Sequence, residues 1–66
     1  MDTIRYGVPG MHCDHCERAV RQELSTVAGV EDVEVDLVSK VVAVQGSQLD
    51  DAALRAAIAE AGYEAQ

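Results

Sequence analysis

Val33-Glu34-Val35-Asp36-Leu37-Val38-Ser39-Lys40-Val41-Val42-Ala43-Val44 is the stretch around which the rest of this 66-residue chain arranges itself. Val33, Val35 and Leu37 alternate with Glu34 and Asp36, the period of a strand that buries one face and turns its acids to water. The run Val41-Val42-Ala43-Val44 is too short for a helix and rich in β-branched residues, so it reads as a second strand. Ser39-Lys40 between them makes a tight turn, and the two strands form a hairpin. Within the unbroken run, Val42 and Val44 are the preferred inward residues.

Working outward, each flank of the hairpin carries a helix. Upstream, Asp14 followed by Glu17 resembles a capping-box signal, and Cys16, Ala19, Val20, Leu24 and Val27 then fall at helical spacing, which predicts a helix from about Asp14 to Val27 ended by Gly29. Downstream, Gln45-Gly46-Ser47 is a loop, after which Asp50 or Ser47 caps a helix with Leu54, Ala57, Ile58 and Ala61 on one stripe and Gly62 as its stop. Outside the helices lie two further strand signals. Ile4, Tyr6 and Val8 alternate with Thr3, Arg5 and Gly7 before Pro9-Gly10 breaks the run, where Gly10 can take backbone angles closed to other residues. Tyr63 to Gln66, after the helix stop, fits a brief edge strand. The order strand, helix, strand, strand, helix, strand implies an α+β fold: a ferredoxin-like βαββαβ sandwich, an antiparallel sheet with both helices on one face, built as a single domain over residues 1–66.

Size and charge narrow the chemistry. A domain this short buries one modest core, and with no Trp or Phe that core is aliphatic, leaving little room for an internal cofactor. The net charge of −7 opposes binding to phosphate backbones, so nucleic acid is a poor partner, whereas a basic patch on another protein is favoured. No apolar run approaches the ~20 residues of a membrane span, and Met1-Asp2-Thr3 carries an acid where a secretory signal carries basic charge, so a cytoplasmic location is expected.

The chain's two cysteines, Cys13 and Cys16, stand in Gly10-Met11-His12-Cys13-Asp14-His15-Cys16, three positions apart where a loop meets a helix. A disulfide closing so short a loop removes little chain entropy, which points to a chemical purpose. Amide groups and the positive end of the helix dipole favour thiolates there, and thiolates are the metal-binding form. A soft thiolate pair selects Cu(I), Zn(II) or a similar thiophilic ion, and two ligands alone suit low-coordinate Cu(I). Such a site stays reachable, unlike closed tetrahedral zinc, so a partner with its own thiol pair can attack the bound ion and take it over.

Gly10-Met11-x-Cys13-x-x-Cys16 after a strand, with Gly62-Tyr63 after the second helix, resembles the heavy-metal-associated domain family, and especially its bacterial copper chaperones. The resemblance runs from Ile4 to Tyr63. It implies a non-enzymatic Cu(I) metallochaperone that delivers its ion to copper-transporting P-type ATPases, with Cys13 and Cys16 as the ligands. It also implies that Met11 packs beneath the metal loop and that Tyr63 lies close to it. His12 departs from the Ser or Thr of many relatives and is a candidate third ligand; His15 matches a residue that tunes the site from beside the cysteines. Either His would make zinc more competitive. The readings to be set against Cu(I) delivery are a thiol-disulfide oxidoreductase using the same Cys-x-x-Cys, a domain carrying zinc or mercury, and a domain belonging to a transport ATPase. An exposed thiol pair further implies a homodimer bridged by copper.

Overall fold

The structure, a computed structural model, describes residues 2–12 and 14–65. It contains β1 (Asp2–Gly7), α1 (Asp14–Ser25), β2 (Val30–Asp36), β3 (Val41–Gly46) and α2 (Asp51–Glu60). The strands form an antiparallel sheet in the order β1-β3-β2, so the hairpin partner β3 is central and the first strand pairs with it from the other side.

Register decides which face is wet. Tyr6 stands opposite Val42 and Ile4 opposite Val44 on one side of β3, with Val35 and Val33 opposite the same two residues on the other. This row faces the core, and Val42 and Val44 are fully buried, as the preferred reading of the valine run expects. One position along, Arg5, Ala43 and Glu34 share the opposite face, and the acids Glu34 and Asp36 are exposed there. Keeping β2 in this register takes a bulge between Val30 and Asp32, because Val30 and Val33 are an odd number apart and would otherwise face opposite sides. With Glu31 as the extra residue, both valines pack on the core.

Both helices cover the core face. Val20 and Leu24 of α1 and Leu54, Ala57 and Ile58 of α2 join Tyr6, Val33, Val42 and Val44 in one apolar cluster, and α1 packs on β2 and against α2. Asp50 rather than Ser47 caps α2, its carboxylate accepting from the Ala52 amide at 3.0 Å. In α1, Asp14 lies inside the helix as its first residue, so it and Glu17 are first-turn acids near the positive helix end rather than the two arms of a capping box. The helix ends at Ser25, two residues before the expected stop, and Thr26 and Val27 continue as i+3 turns on Glu23 and Leu24. The far end of the sheet is closed by a contact that needs glycine. A Cβ on Gly46 would stand 2.0 Å from the Gly29 carbonyl oxygen, which accepts from the Ser47 amide at 3.0 Å.

The brief edge strand expected at Tyr63 to Gln66 is not formed over residues 63–65, and Gln66 lies outside the described residues. The backbone there is committed to ending α2. The Gly62 amide bonds to the Ala59 carbonyl at 2.9 Å and the Tyr63 amide to the Ile58 carbonyl at 3.2 Å, with Gly62 at φ +95°. This is the paired-bond pattern of a Schellman cap, and its left-handed residue is glycine for lack of a Cβ. The fold class stands, with three strands among the described residues.

Tyr6 reaches out of the core with its hydroxyl, which donates to Asp51 Oδ1 at 2.6 Å, while Arg55 Nε bonds the same carboxylate and its guanidinium lies 5.3 Å from the Tyr6 ring centre. Burial, then the hydrogen bond to Asp51 and that residue's charge, push the Tyr6 phenol from 10.0 up to about 12. The Tyr6 hydrogen bond and then Arg55 hold Asp51 below the usual carboxylate range. A phenol that titrates higher in the folded chain supports folding fully below the unfolded value, and that support disappears as pH rises from 10 towards 12. Thermal unfolding across this range should show the midpoint of the wild-type chain falling more steeply than that of Tyr6→Phe. Tyr63 is common to both, so parallel curves would show that Tyr6 is not the group responsible.

Candidate metal centre

The loop between β1 and α1 is held from three directions. From the strand side, the Val8 amide donates to the Lys40 carbonyl at 2.8 Å, extending the pairing of β1 with β3 one step past Gly7. Pro9-Gly10 then reverses the chain, and the Met11 amide closes the turn on the Val8 carbonyl at 3.2 Å. The turn sends both flanking side chains inward: Val8 and Met11 are each fully buried. A proline at the second position of a turn presets its backbone. Gly10 departs from the expectation of special backbone angles, since the glycines with positive φ among the described residues are Gly29 and Gly62. A Cβ at Gly10 would meet Tyr63 Cδ1 at 3.4 Å, an ordinary van der Waals distance, so the aromatic ring lies directly beside the turn.

The Schellman cap of α2 delivers that ring. By reversing the chain at Gly62, it sets Tyr63 half-buried on the core and beside Gly10, with Pro9, Ala59, Gly62 and Glu64 around the shallow open cleft between them. The third direction is the β2–β3 turn. Asp36 organises it by accepting from the amides of Val38 at 2.9 Å and Ser39 at 3.3 Å, bonds that hold its carboxyl below the ordinary range. The connection spans residues 37–40, longer than Ser39-Lys40 alone, and Lys40 ends it at φ +61°. From there the Lys40 ammonium donates to the Met11 carbonyl and lies 3.2 Å from His12 Nδ1.

Past Met11 the chain emerges. His12 is exposed, and so is His15 in the first turn of α1. Cys16, the third residue of α1, is half-buried and packs against the core cluster. Its sulfur therefore belongs to the amino-terminal turn of a helix, where the backbone dipole favours a negative group, although Asp14 and Glu17 in the same turn oppose it. Glu17 is partly neutralised by Arg21 at 3.1 Å. Cys13 lies outside the described residues. Among the described residues no three His, Cys, Asp or Glu side chains converge to hold an ion.

Of the residues singled out from sequence, the fold thus gathers Met11, His12, His15, Cys16 and Tyr63 around one loop and the start of one helix. Lys40 was missed. In the chain it is a turn residue 28 positions from His12, and nothing local marks it; only the stacking of the two turns brings its side chain to the loop.

A model of the heavy-metal-associated domain matches residues 5–64, from within β1 to just beyond α2. The chain belongs to the heavy-metal-associated domain family. Over 59 residues this domain is 37% identical to a copper chaperone, CopZ, of Staphylococcus aureus, a match covering 86% of this chain and 87% of that protein. It is 40% identical over 60 residues to copper-transporting ATPase 1 of Rhizobium meliloti, covering 89% of the chain but 7% of the ATPase. It is also 31% identical over 64 residues to heavy metal-associated isoprenylated plant protein 31 of Arabidopsis thaliana, covering 97% of the chain and 46% of that relative. The domain thus spans less than half the length of those two proteins and most of the length of CopZ. Among solved structures, a CopZ metallochaperone superimposes with a TM-score of 0.91 at 31% identity, covering 98% of this chain and 100% of that one. The copper chaperone Atx1 of Synechocystis PCC6803 gives 0.82 at 35% identity, covering 96% and 98%. No helix among the described residues is long and apolar enough to cross a membrane.

Met11 ties the loop to the core, so Met11→Ala should lower unfolding free energy by about 3 kcal/mol through lost burial and the cavity left behind. Denaturant titration measures it, and a change well under 1 kcal/mol would mean the loop does not depend on that side chain.

Proposed function

We propose that residues 1–66 act as one domain, a carrier rather than an enzyme, that binds Cu(I) as cargo through Cys13 and Cys16 and passes it to the metal-binding domains of a copper-transporting P-type ATPase. The observation that carries this reading is the position of Cys16, half-buried in the first turn of α1 immediately beyond a loop pinned by Met11. Cys13 stands three positions before it in the chain, the spacing with which two sulfurs can meet one ion. The likeness to CopZ along nearly its whole length supports copper as the cargo and carriage as the role. The likeness to a copper-transporting ATPase supports such an ATPase as the recipient, since donor and acceptor then share one fold and one kind of site.

Transfer follows from access. A thiolate pair at a helix start leaves the ion open to attack by an incoming thiolate, so the new sulfur–metal bond forms before an old one breaks. The ion passes through a shared intermediate and is never released to water. Reduced thiols are needed for every step, a requirement that the reducing cytoplasm meets. The exposed Glu34 and Asp36 and the overall charge of −7 favour encounter with a basic recipient surface, chiefly through the association rate.

Met11 acts as loop support and Tyr63 as the aromatic wall behind Gly10; His15 is a neighbour of the sulfurs on the helix start. Anaerobic competition with a chromophoric Cu(I) chelator tests the assignment. Cys13→Ser and Cys16→Ser should each weaken retention on the order of a hundredfold or more, since losing even an outer partner of a metal ligand costs ten- to a hundredfold. Preference for Zn(II) in parallel titration, or rapid insulin reduction by the metal-free protein, would replace copper carriage with zinc binding or with redox catalysis.

The same thiol pair should let two copies share copper. Sedimentation velocity should show a heavier species for the Cu(I)-loaded protein than for the apo protein, and equal masses would remove the bridged homodimer.

A further inference from the structure

Lys40 meets His12 in a way that bears on which ions the loop accepts. The ammonium of a lysine has donors and no acceptor, so its 3.2 Å approach to His12 Nδ1 requires that nitrogen to accept. The imidazole is then the neutral ring with its hydrogen on Nε2. Neither nitrogen offers a lone pair to a metal: that of Nδ1 points at Lys40, and Nε2 carries the hydrogen. A histidine ligates only through a nitrogen lone pair, so His12 must break from Lys40 before it can join a site.

The lysine is itself well held. Its carbonyl takes the Val8 amide, its ammonium also donates to the Met11 carbonyl, and the Asp36-organised turn places it there. Both ends of Lys40 therefore fasten the β2–β3 turn to the loop that leads to Cys13, and this makes the contact with His12 part of a fixed frame.

We propose that Lys40 determines cargo specificity by occupying His12 and keeping it out of the coordination sphere. A third nitrogen ligand helps Zn(II), which seeks four ligands from sulfur and nitrogen, more than it helps Cu(I), which two thiolates satisfy. The lysine thus protects a two-sulfur site from becoming a two-sulfur, one-nitrogen site. The proposal rests on Cys13 and Cys16 as the ligands.

Nitrogen-15 spectra of the apo wild type should show His12 as the Nε2–H tautomer, and this tautomer should be lost or mixed in Lys40→Met. In competition titrations, Lys40→Met should bind Zn(II) roughly tenfold more tightly than wild type, the scale on which outer partners tune metal affinity. The gain should vanish on the His12→Ala background, where adding Lys40→Met changes Zn(II) affinity by less than about threefold. Lys40→Arg, which keeps a cationic donor on the same left-handed residue, should behave as wild type and shows that the turn still folds. Unchanged Zn(II) affinity in Lys40→Met, or the same gain with His12 absent, overturns the proposal; the second outcome would mean that charge alone is at work. Wild-type Cu(I) affinity, measured alongside, tests the cargo assignment by itself, because the tautomer and the zinc coupling do not depend on copper.

Discussion

Burial of Val8 and Met11 on either side of the Pro9-Gly10 turn is the constraint from which the site follows. A connection between a strand and a helix ordinarily runs over the surface, mobile and weakly specified. Here one apolar anchor on each side of a reverse turn draws it down onto the core, and the chain beyond Met11 is obliged to rise from a defined point. His12 then emerges into solvent and α1 starts within two residues. The core of a domain this small is thus also the foundation of its chemistry.

Around that anchor the fold places an unusual balance of charge. The start of α1 contributes the positive end of a helix dipole, yet it carries the acids Asp14 and Glu17 in its first turn, in a protein that is strongly acidic overall. Lys40 supplies a positive group at the loop itself, delivered from the hairpin turn. The neighbourhood of His12 and Cys16 is therefore neither a plain electropositive pocket nor an acidic face. Lys40 is held there at a fixed place among backbone dipoles and acids.

Much of the architecture is legible from residue order alone because the signals are local. Alternation in Thr3–Val8 and Val33–Leu37 and helical spacing in Cys16–Leu24 each report a burial pattern with its own period. The inward choice of Val42 and Val44 could be made from neighbours, and the wet acids of β2 agree with it. Other features escaped local reading. The bulge at Glu31 exists only because β2 must meet β3 in register. The close approach of Gly29 and Gly46 requires the two ends of the hairpin to be known at once. Tyr63 to Ala65 carry apolar residues in a pattern open to a strand, but hydrogen bonds back to the last turn of α2 claim the backbone at Gly62 and Tyr63.

Residue order alone carried the α+β class, the order of the first five elements, the aliphatic core and the place of Cys16 at a helix start, since each is written in spacing over a few residues. It also determined the family, through motif and element order together. It took the folded chain to show that Gly10 lies beside the Tyr63 ring, that Tyr6 spends its hydroxyl on Asp51, and that Lys40 reaches Met11 and His12. Those partners are 53, 45 and 28 or more positions apart, and no periodicity relates them. They meet because a sheet and two helices with fixed packing faces leave the turns nowhere else to lie.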